Sequence, residues 1–245
     1  MFEYYPYLFI LLLPFVAFLY SSVGHGGASG YLALMILFEF SPEKMKSTAL
    51  LLNLFVAAIS FYHFYKEGHF NKKLFFVFAL SSIPMSFIGG YINIDDDYYK
   101  KILAFLLIFA IVKVLNLVKS ELKPIVRVKK WEGLMTGALI GFFSGLIGIG
   151  GGVILTPVIL FFKWGRIKEA AAVSAIFIWV NSFSGISGQF VSGVTVDIQS
   201  FYLVIIAAFG GFFGSYFGSK KLNNSVLSII LAVVLFIASL KLFLS

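Results

Sequence analysis

The sequence of 245 residues is 60% hydrophobic and 12% charged, with a mean hydropathy of +0.98. Soluble domains carry about 25% charged residues, so this composition excludes an ordinary soluble protein and predicts an all-helical polytopic membrane protein. The chain has no cysteine, which excludes disulfides, thiolate metal sites and thiol catalysis. Its formal charge is +8. We expect the basic loops to set the orientation of the chain in the membrane, and we expect no binding of nucleic acid.

Ten apolar segments succeed one another along the chain, five before and five after a basic segment at residues 119–130. They occupy residues 7–23, 31–40, 45–65, 74–94, 102–118, 131–147, 153–162, 167–191, 201–217 and 226–244. We therefore expect a first membrane repeat at residues 1–118, a basic cytoplasmic linker at residues 119–130 and a second membrane repeat at residues 131–245. The halves also align, because Gly24 precedes Gly148 by 124 residues and Gly89 precedes Gly214 by 125, which indicates an internal duplication.

Two glycine clusters interrupt the apolar pattern, one in each half. Residues 24–30 read GHGGASG, and residues 148–157 read GIGGGVILTP. Each interior glycine costs a helix about 1 kcal/mol relative to alanine, so we expect both clusters to break the helix. Backbone that is freed at membrane depth survives only where protein or a water-filled cavity supplies partners. Paired breaks in corresponding positions of two halves are typical of a transporter's substrate site.

The segments that follow the clusters, residues 31–40 and 153–162, are each ten residues long, about half of what a span requires. Each pair is therefore either one interrupted crossing or a re-entrant hairpin that returns to the same face. Single crossings divide the lysines and arginines of the loops nine against nine, whereas hairpins place thirteen on the side of the central linker and five on the other. The positive-inside rule favours the hairpins, which give three full spans in each half and make the halves inverted copies.

With hairpins, short helices begin near Ala28 and Gly152 at mid-membrane, one from each side. A helix start presents unpaired amide donors and a partial positive charge, which favour an anion, and glycine lets a ligand approach the backbone closely. We expect a small anion to bind there. The backbone candidates are Gly24, Gly26, Gly27, Gly148, Gly150, Gly151 and Gly152. By contrast, the glycines at positions 210, 214 and 218 are spaced by four, and we interpret them as a helix-packing surface.

Three side chains complete the predicted site. Asn53, which shares a stripe with Lys46, and Asn181 lie on polar stripes of the helices that follow the hairpins, and such stripes face the protein interior or a cavity. Each is either a ligand or gate residue, or a hydrogen bond between helices. His25 lies inside the first break, where the second copy has Ile149. It either accompanies the anion or relays a proton, or as a neutral imidazole it satisfies freed backbone.

At these residues the chain resembles the sulfite exporter TauE/SafE family, also called the 4-toluene sulfonate uptake permease family. The second copy has the more recognisable pattern, at residues 148–152, Pro157 and residues 170–174. The first copy resembles a subgroup form, with Ala28 in place of a usual glycine and Ala33 at the position aligned with Pro157. The resemblance implies transport of sulfur-containing anions such as sulfite, sulfonates or sulfoacetate across a bacterial inner membrane, with export as the family expectation.

The function that these patterns predict is alternating access, in which one repeat rocks against the other around a midplane site. The expected partners are a small anion and the lipid bilayer, and we expect no cofactor, metal site or catalytic residue. No set of paired carboxylates or Ser/His/Asp side chains falls at a shared depth, which argues against an enzyme. A passive anion channel and a membrane subunit without transport activity are the alternatives.

Overall fold

The described part of the chain is entirely helical in its regular structure, as its composition predicts. The computed structural model describes residues 7–116, 125–195, 197, 198, 200–220 and 236. Within these residues there are nine helices and no strand. The helices are α1 (Tyr7–Ser22), α2 (Ala28–Leu37), α3 (Pro42–Lys66), α4 (Lys72–Tyr91), α5 (Asp96–Asn116), α6 (Lys130–Ile147), α7 (Gly152–Phe161), α8 (Ile167–Val191) and α9 (Ser200–Lys220). The predicted segment at residues 226–244 lies outside the described residues apart from Phe236, and so does the first half of the basic linker.

Four of these helices, α3, α4, α8 and α9, are long and apolar enough to cross a membrane. Large apolar side chains cover their outward faces, and Leu80, Phe183 and Ile205 are 67%, 60% and 69% exposed. Extended apolar surface of this kind is typical of contact with another apolar phase. The central pair is α3 and α8, because 67% and 72% of their most apolar stretches are buried, against 44% in both α4 and α9.

Each glycine cluster joins two helices that fold back on each other. The Phe9 ring, near the start of α1, lies 5.7 Å from the Phe38 ring and 5.0 Å from the Phe40 ring, just beyond the end of α2. In the second half, the Val126 amide, before α6, donates to the Lys163 carbonyl, after α7, at 2.8 Å. In both pairs the start of the first helix therefore lies beside the end of the second. We call residues 24–27 the first tip and residues 148–151 the second tip.

Rows of glycines bring the first helix of each pair into close contact with a helix of the other half. On α9, three glycines lie against backbone oxygens of α1, in the pairs Gly210 with Pro14, Gly214 with Phe18 and Gly218 with Ser22. On α6, three glycines lie in the same way against α4, in the pairs Gly137 with Phe78, Gly141 with Ser82 and Gly145 with Ser86. The packing interpretation of the three α9 glycines is confirmed. Such small residues let membrane helices approach each other closely.

We expect Gly214→Val to lower the unfolding temperature of the purified protein. A side chain here would displace the α1 backbone at Phe18, and overpacking of a tight contact costs about 1–3 kcal/mol. Phe213→Val introduces the same residue on the exposed face of the same helix and is the matched control. Thermal unfolding in detergent compares the two variants, and equal unfolding temperatures would contradict the assigned contact.

Candidate functional site

The two tips meet between the middles of α3 and α8. Gly26 of the first tip and Gly150 of the second tip both lie against the Asn53 side chain. A Cβ added at Gly26 would be 3.0 Å from Ile178 Cγ2, and one added at Gly150 would be 2.9 Å from the same atom. Asn53 and Ile178 are near the midpoints of the 25-residue helices α3 and α8. The tips therefore meet at the centre of the bundle, close to the halfway depth of its two central helices.

Asn53 links the first tip to α8, and its side chain limits the space at the second tip. Its Oδ1 accepts a hydrogen bond at 3.1 Å from the amide of Ala28, the first residue of α2. Its Nδ2 donates to Ser182 Oγ on α8 at 3.3 Å and lies against Gly150, where a Cβ would collide with it. Asn53 therefore caps the N-terminus of α2 from a neighbouring helix, in the way that an N-cap side chain does.

The N-terminus of α7 has no such cap. Its N-cap residue is Gly151, which offers no side-chain hydrogen bond. The buried amides of Gly152 and Val153 find no acceptor among the residues that the structure describes. The side chains that lie against Gly152 are the apolar Ile178 and the His25 ring. Unpaired amides at a helix start are donors for an anion. Within the described part of the chain both helix starts have such amides, at Ser29 and Gly30 of α2 and at Gly152 and Val153 of α7, but only α7 lacks a side-chain cap.

His25 ties the first tip to the start of α7. Its Nε2 lies 3.1 Å from the Gly152 carbonyl oxygen. A carbonyl oxygen only accepts, so Nε2 donates the proton in this contact. Nδ1 is buried and has no partner within the described residues. The contact joins His25 to the backbone of the first turn of α7, and the choice between its predicted roles stays a prediction.

We expect His25→Gln to retain transport within about threefold, because a glutamine amide can replace Nε2 as the donor to Gly152. His25→Leu removes this donor, and the loss of one buried hydrogen bond costs about 0.5–1.5 kcal/mol. Thermal unfolding and anion uptake by both variants measure the two effects. If glutamine abolishes uptake as fully as leucine does, the imidazole itself is required and the proton-relay alternative gains support.

Five of the seven predicted glycines adopt backbone conformations that side chains disfavour. Left-handed φ angles, from +71° to +104°, occur at Gly24, Gly27, Gly148, Gly150 and Gly151. Residues other than glycine pay about 1–2 kcal/mol for that conformation. Neighbouring residues are also close. A Cβ added at Gly24 would lie 2.5 Å from Ala171, and a Cβ added at Gly151 would lie 2.8 Å from Ile140. The backbone of both tips is therefore bare and tightly enclosed.

Asn181, the second predicted asparagine, connects α8 to α4. Its Nδ2 donates to Ser82 Oγ at 3.1 Å and to the Phe177 carbonyl at 2.8 Å. The backbone carbonyl of Asn181 accepts from Ser86 Oγ at 2.8 Å. These contacts match the alternative of a hydrogen bond between helices, and a role of Asn181 as a ligand stays a prediction.

A cavity of about 410 Å³ opens beside the second tip. Its lining includes Lys46 on α3, Tyr99 on α5 and Leu146 at the end of α6. The Tyr99 hydroxyl donates to the Ile147 carbonyl at 2.9 Å, which holds α5 against the end of α6. No local sequence pattern indicates this cavity, because its lining comes from three helices and two loops. The one signal is the position of Lys46 on the polar stripe of α3.

Comparisons with known proteins agree with a membrane transporter. A probable membrane transporter protein of Sinorhizobium fredii is 37% identical over 232 residues, which cover 93% of this chain and 94% of that protein. Another, of Methanocaldococcus jannaschii, is 31% identical over 199 residues, which cover 73% of this chain and 72% of that protein. A third, of Bacillus subtilis, is 24% identical and covers 71% of both chains. No solved structure is a significant match.

The family resemblance is confirmed over nearly the whole chain. The family described as sulfite exporter TauE/SafE matches residues 9–242, which include both tips and every described helix apart from the first two residues of α1. The family and the similar proteins indicate a transporter and not an enzyme. The chain therefore belongs to the sulfite exporter TauE/SafE family of membrane transporters.

Proposed function

We propose that the protein carries a small sulfur-containing anion of the sulfite, sulfonate and sulfoacetate class across a bacterial inner membrane, as an exporter. The family description, sulfite exporter, supports sulfite and export, and the family resemblance of the glycine clusters extends the class to sulfonates and sulfoacetate. The observation that carries the proposal is the meeting of the two glycine tips at Asn53, in the middle of α3. This buried point brings together glycine backbone amides, two helix starts and a side-chain amide. Such donors can replace the water around an anion.

The proposed architecture is a pair of inverted repeats, at residues 1–118 and 131–245, joined by a cytoplasmic linker at residues 119–130. Each repeat contributes one re-entrant helix pair and three spans. The main helix contacts between the halves recur with the roles of the two halves exchanged, and this symmetry supports the arrangement. α1 packs on α9 as α6 packs on α4, and α4 packs on α8 as α9 packs on α3. With the tips as the ends of re-entrant pairs, α2 and α7 begin near the membrane midplane, from opposite faces.

In the proposed mechanism the anion binds first at the start of α7. The amides of Gly152 and Val153 donate to its oxygens, and the partial positive charge of the helix start offsets part of its charge. Asn53 caps α2 in this conformation, so its release from Ala28 would free the second helix start for the anion. The hydrogen bonds of Asn53 to Ser182 and of His25 to Gly152 join parts of both repeats. They are the contacts that must change when one repeat rocks against the other.

Uptake of labelled sulfite, sulfate and sulfoacetate into proteoliposomes, with and without a pH gradient, tests this proposal. We expect saturable uptake of at least one anion, and an effect of the pH gradient would identify proton coupling. A passive channel would instead give flux that rises linearly with concentration and far exceeds carrier turnover. Absence of flux for every anion would favour a membrane subunit without transport activity and would contradict the proposal.

A further inference from the structure

Lys46 is a buried ammonium group that lacks a counter-ion in the described part of the chain. The residue is 9% exposed. Its Nζ donates to the carbonyl oxygens of Gly90 and Ile92, at 3.3 Å and 3.4 Å. The ion pairs among the described residues do not involve it. A buried charge is costly unless it is paired, and an ammonium has three donors, so this group has both a charge and a hydrogen bond to offer.

The cavity beside the second tip gives Lys46 access to water. Glu43 and Asp96 also line this cavity, but both are exposed and lie in the first turns of α3 and α5. There each carboxylate offsets the positive end of its helix, and solvent screens it. Buried Lys46 is therefore the positive group inside the cavity, and the carboxylates belong to its rim.

The same lysine contacts the second tip directly. A Cβ at Gly148 would be 2.9 Å from the Lys46 carbonyl oxygen and 3.2 Å from its Cγ. Leu146, at the end of α6, lines the cavity as well. The cavity thus extends to the last turn of α6, next to the second tip. An anion that enters it would meet the ammonium beside that tip.

The first tip has no equivalent of this charge. Ala171 contacts Gly24 as Lys46 contacts Gly148, and it follows Lys46 by 125 residues. The same asymmetry holds at two other positions of the site. The pairs at the repeat spacing are His25 with Ile149, Lys46 with Ala171 and Asn53 with Ile178. At these three positions the polar side chain belongs to the first half, whereas the second half contributes Ser182 and a helix start without a side-chain cap.

We propose that this cavity is the entrance through which the anion reaches the second tip from one face of the membrane, and that Lys46 binds the anion there. This inference rests on the proposed function and adds a binding residue to it. Because the corresponding residue is Ala171, the matching position at the first tip carries no charge. The two faces should therefore bind the anion with different affinities.

Anion-dependent thermal unfolding tests the role of Lys46. Sulfite, sulfate and sulfoacetate are titrated separately at constant ionic strength into the purified full-length protein and its variants. We expect at least one anion to stabilise the wild type, Lys46→Met to weaken its apparent affinity at least tenfold, and Lys46→Arg to restore most of it. Lys168→Met is the matched control, because Lys168 is exposed and also donates to a backbone carbonyl, that of Ser219, at 2.8 Å. Wild-type affinity in Lys46→Met, or a wild type that no anion stabilises, would overturn the inference.

A single cysteine at the rim measures the charge of the cavity directly, since the natural chain has no cysteine. Asn93 lines the cavity, and Asn93→Cys is labelled with anionic and cationic thiol reagents of equal size. The ratio of anionic to cationic labelling rates should fall several-fold when Lys46→Met is added and stay unchanged with Lys168→Met. An unchanged ratio in both would show that Lys46 does not act on the cavity and would overturn the inference.

The binding and flux measurements separate this inference from the carrier proposal. Lys46-dependent binding without flux of any anion in proteoliposomes would end the carrier proposal and leave an anion site at Lys46. Saturable flux and binding that both survive Lys46→Met unchanged would retain the carrier and exclude the entrance.

Discussion

Gly150→Ala is expected to abolish anion transport and to destabilise the protein by about 2–5 kcal/mol. Two costs add at this position. The backbone has a φ of +71°, which an alanine adopts only at about 1–2 kcal/mol. The new methyl group would also collide with Asn53 Nδ2 and lie 2.9 Å from Ile178 Cγ2, and such overpacking costs about 1–3 kcal/mol. Asn53 would have to move, so the α2 cap and the space for the anion would both be lost.

Gly68→Ala is the matched control for the backbone cost alone. Gly68 has a similar φ of +76°, but a Cβ there meets nothing within 4 Å. This variant should lose about 1–2 kcal/mol and transport normally per folded molecule. Thermal unfolding and uptake, both normalised to folded protein, compare the two variants. Normal uptake by Gly150→Ala would mean that the anion does not need the bare backbone of the second tip.

Asn53→Asp is expected to lower anion transport per folded molecule about 100-fold and also to destabilise the protein, because Asn53 is fully buried and an unpaired buried charge is costly. The carboxylate can still accept from the Ala28 amide, and Ser182 can turn its hydroxyl to donate in place of the lost amide. The new negative charge, however, would face the anion. Two unit charges about 6 Å apart at an effective dielectric constant of about 20 repel each other by about 3 kcal/mol, a factor of about 100 in affinity.

Asn53→Ala separates charge from capping. It introduces no charge but removes the acceptor for the α2 amide, and loss of such a cap costs about 0.5–2 kcal/mol. We expect alanine to lower the unfolding temperature less than aspartate does, because it buries no charge, and to reduce uptake per folded molecule less as well. If the aspartate variant transports as well as the wild type, the anion does not pass beside Asn53.

Much of the helical fold was predictable because membrane helices have strong local signals. The glycine breaks predict helix starts at Ala28 and Gly152, which is where α2 and α7 begin. The predicted helix bounds are wrong where a helix begins with polar residues, because an apolar pattern does not mark such a start. α5 begins at Asp96, six residues before its apolar segment, because acidic residues suit the first turn and Tyr99 is buried against the end of α6.

The site was predictable only in part, because its details depend on which way each helix face is turned. Asn53 and Asn181 look alike in sequence, as both lie on polar stripes of helices that follow a hairpin. In the structure Asn53 contacts both tips, whereas Asn181 bonds to Ser82 on α4. Ile178 carries no polar signal at all, yet it lies against Gly26, Gly150 and Gly152. Contacts of this kind arise from packing between distant segments, which a single sequence does not encode locally.

Counterflow of labelled sulfite tests most directly whether an anion is carried across the meeting point of the two tips. Proteoliposomes are loaded with unlabelled sulfite, and entry of labelled external sulfite is compared with entry into empty vesicles. Wild type and Gly68→Ala should show saturable entry that internal sulfite accelerates, and Gly150→Ala should show none. Equal entry with Gly150→Ala and wild type, or wild-type entry that internal sulfite does not accelerate, would contradict a carrier whose site lies at Gly150 and Asn53.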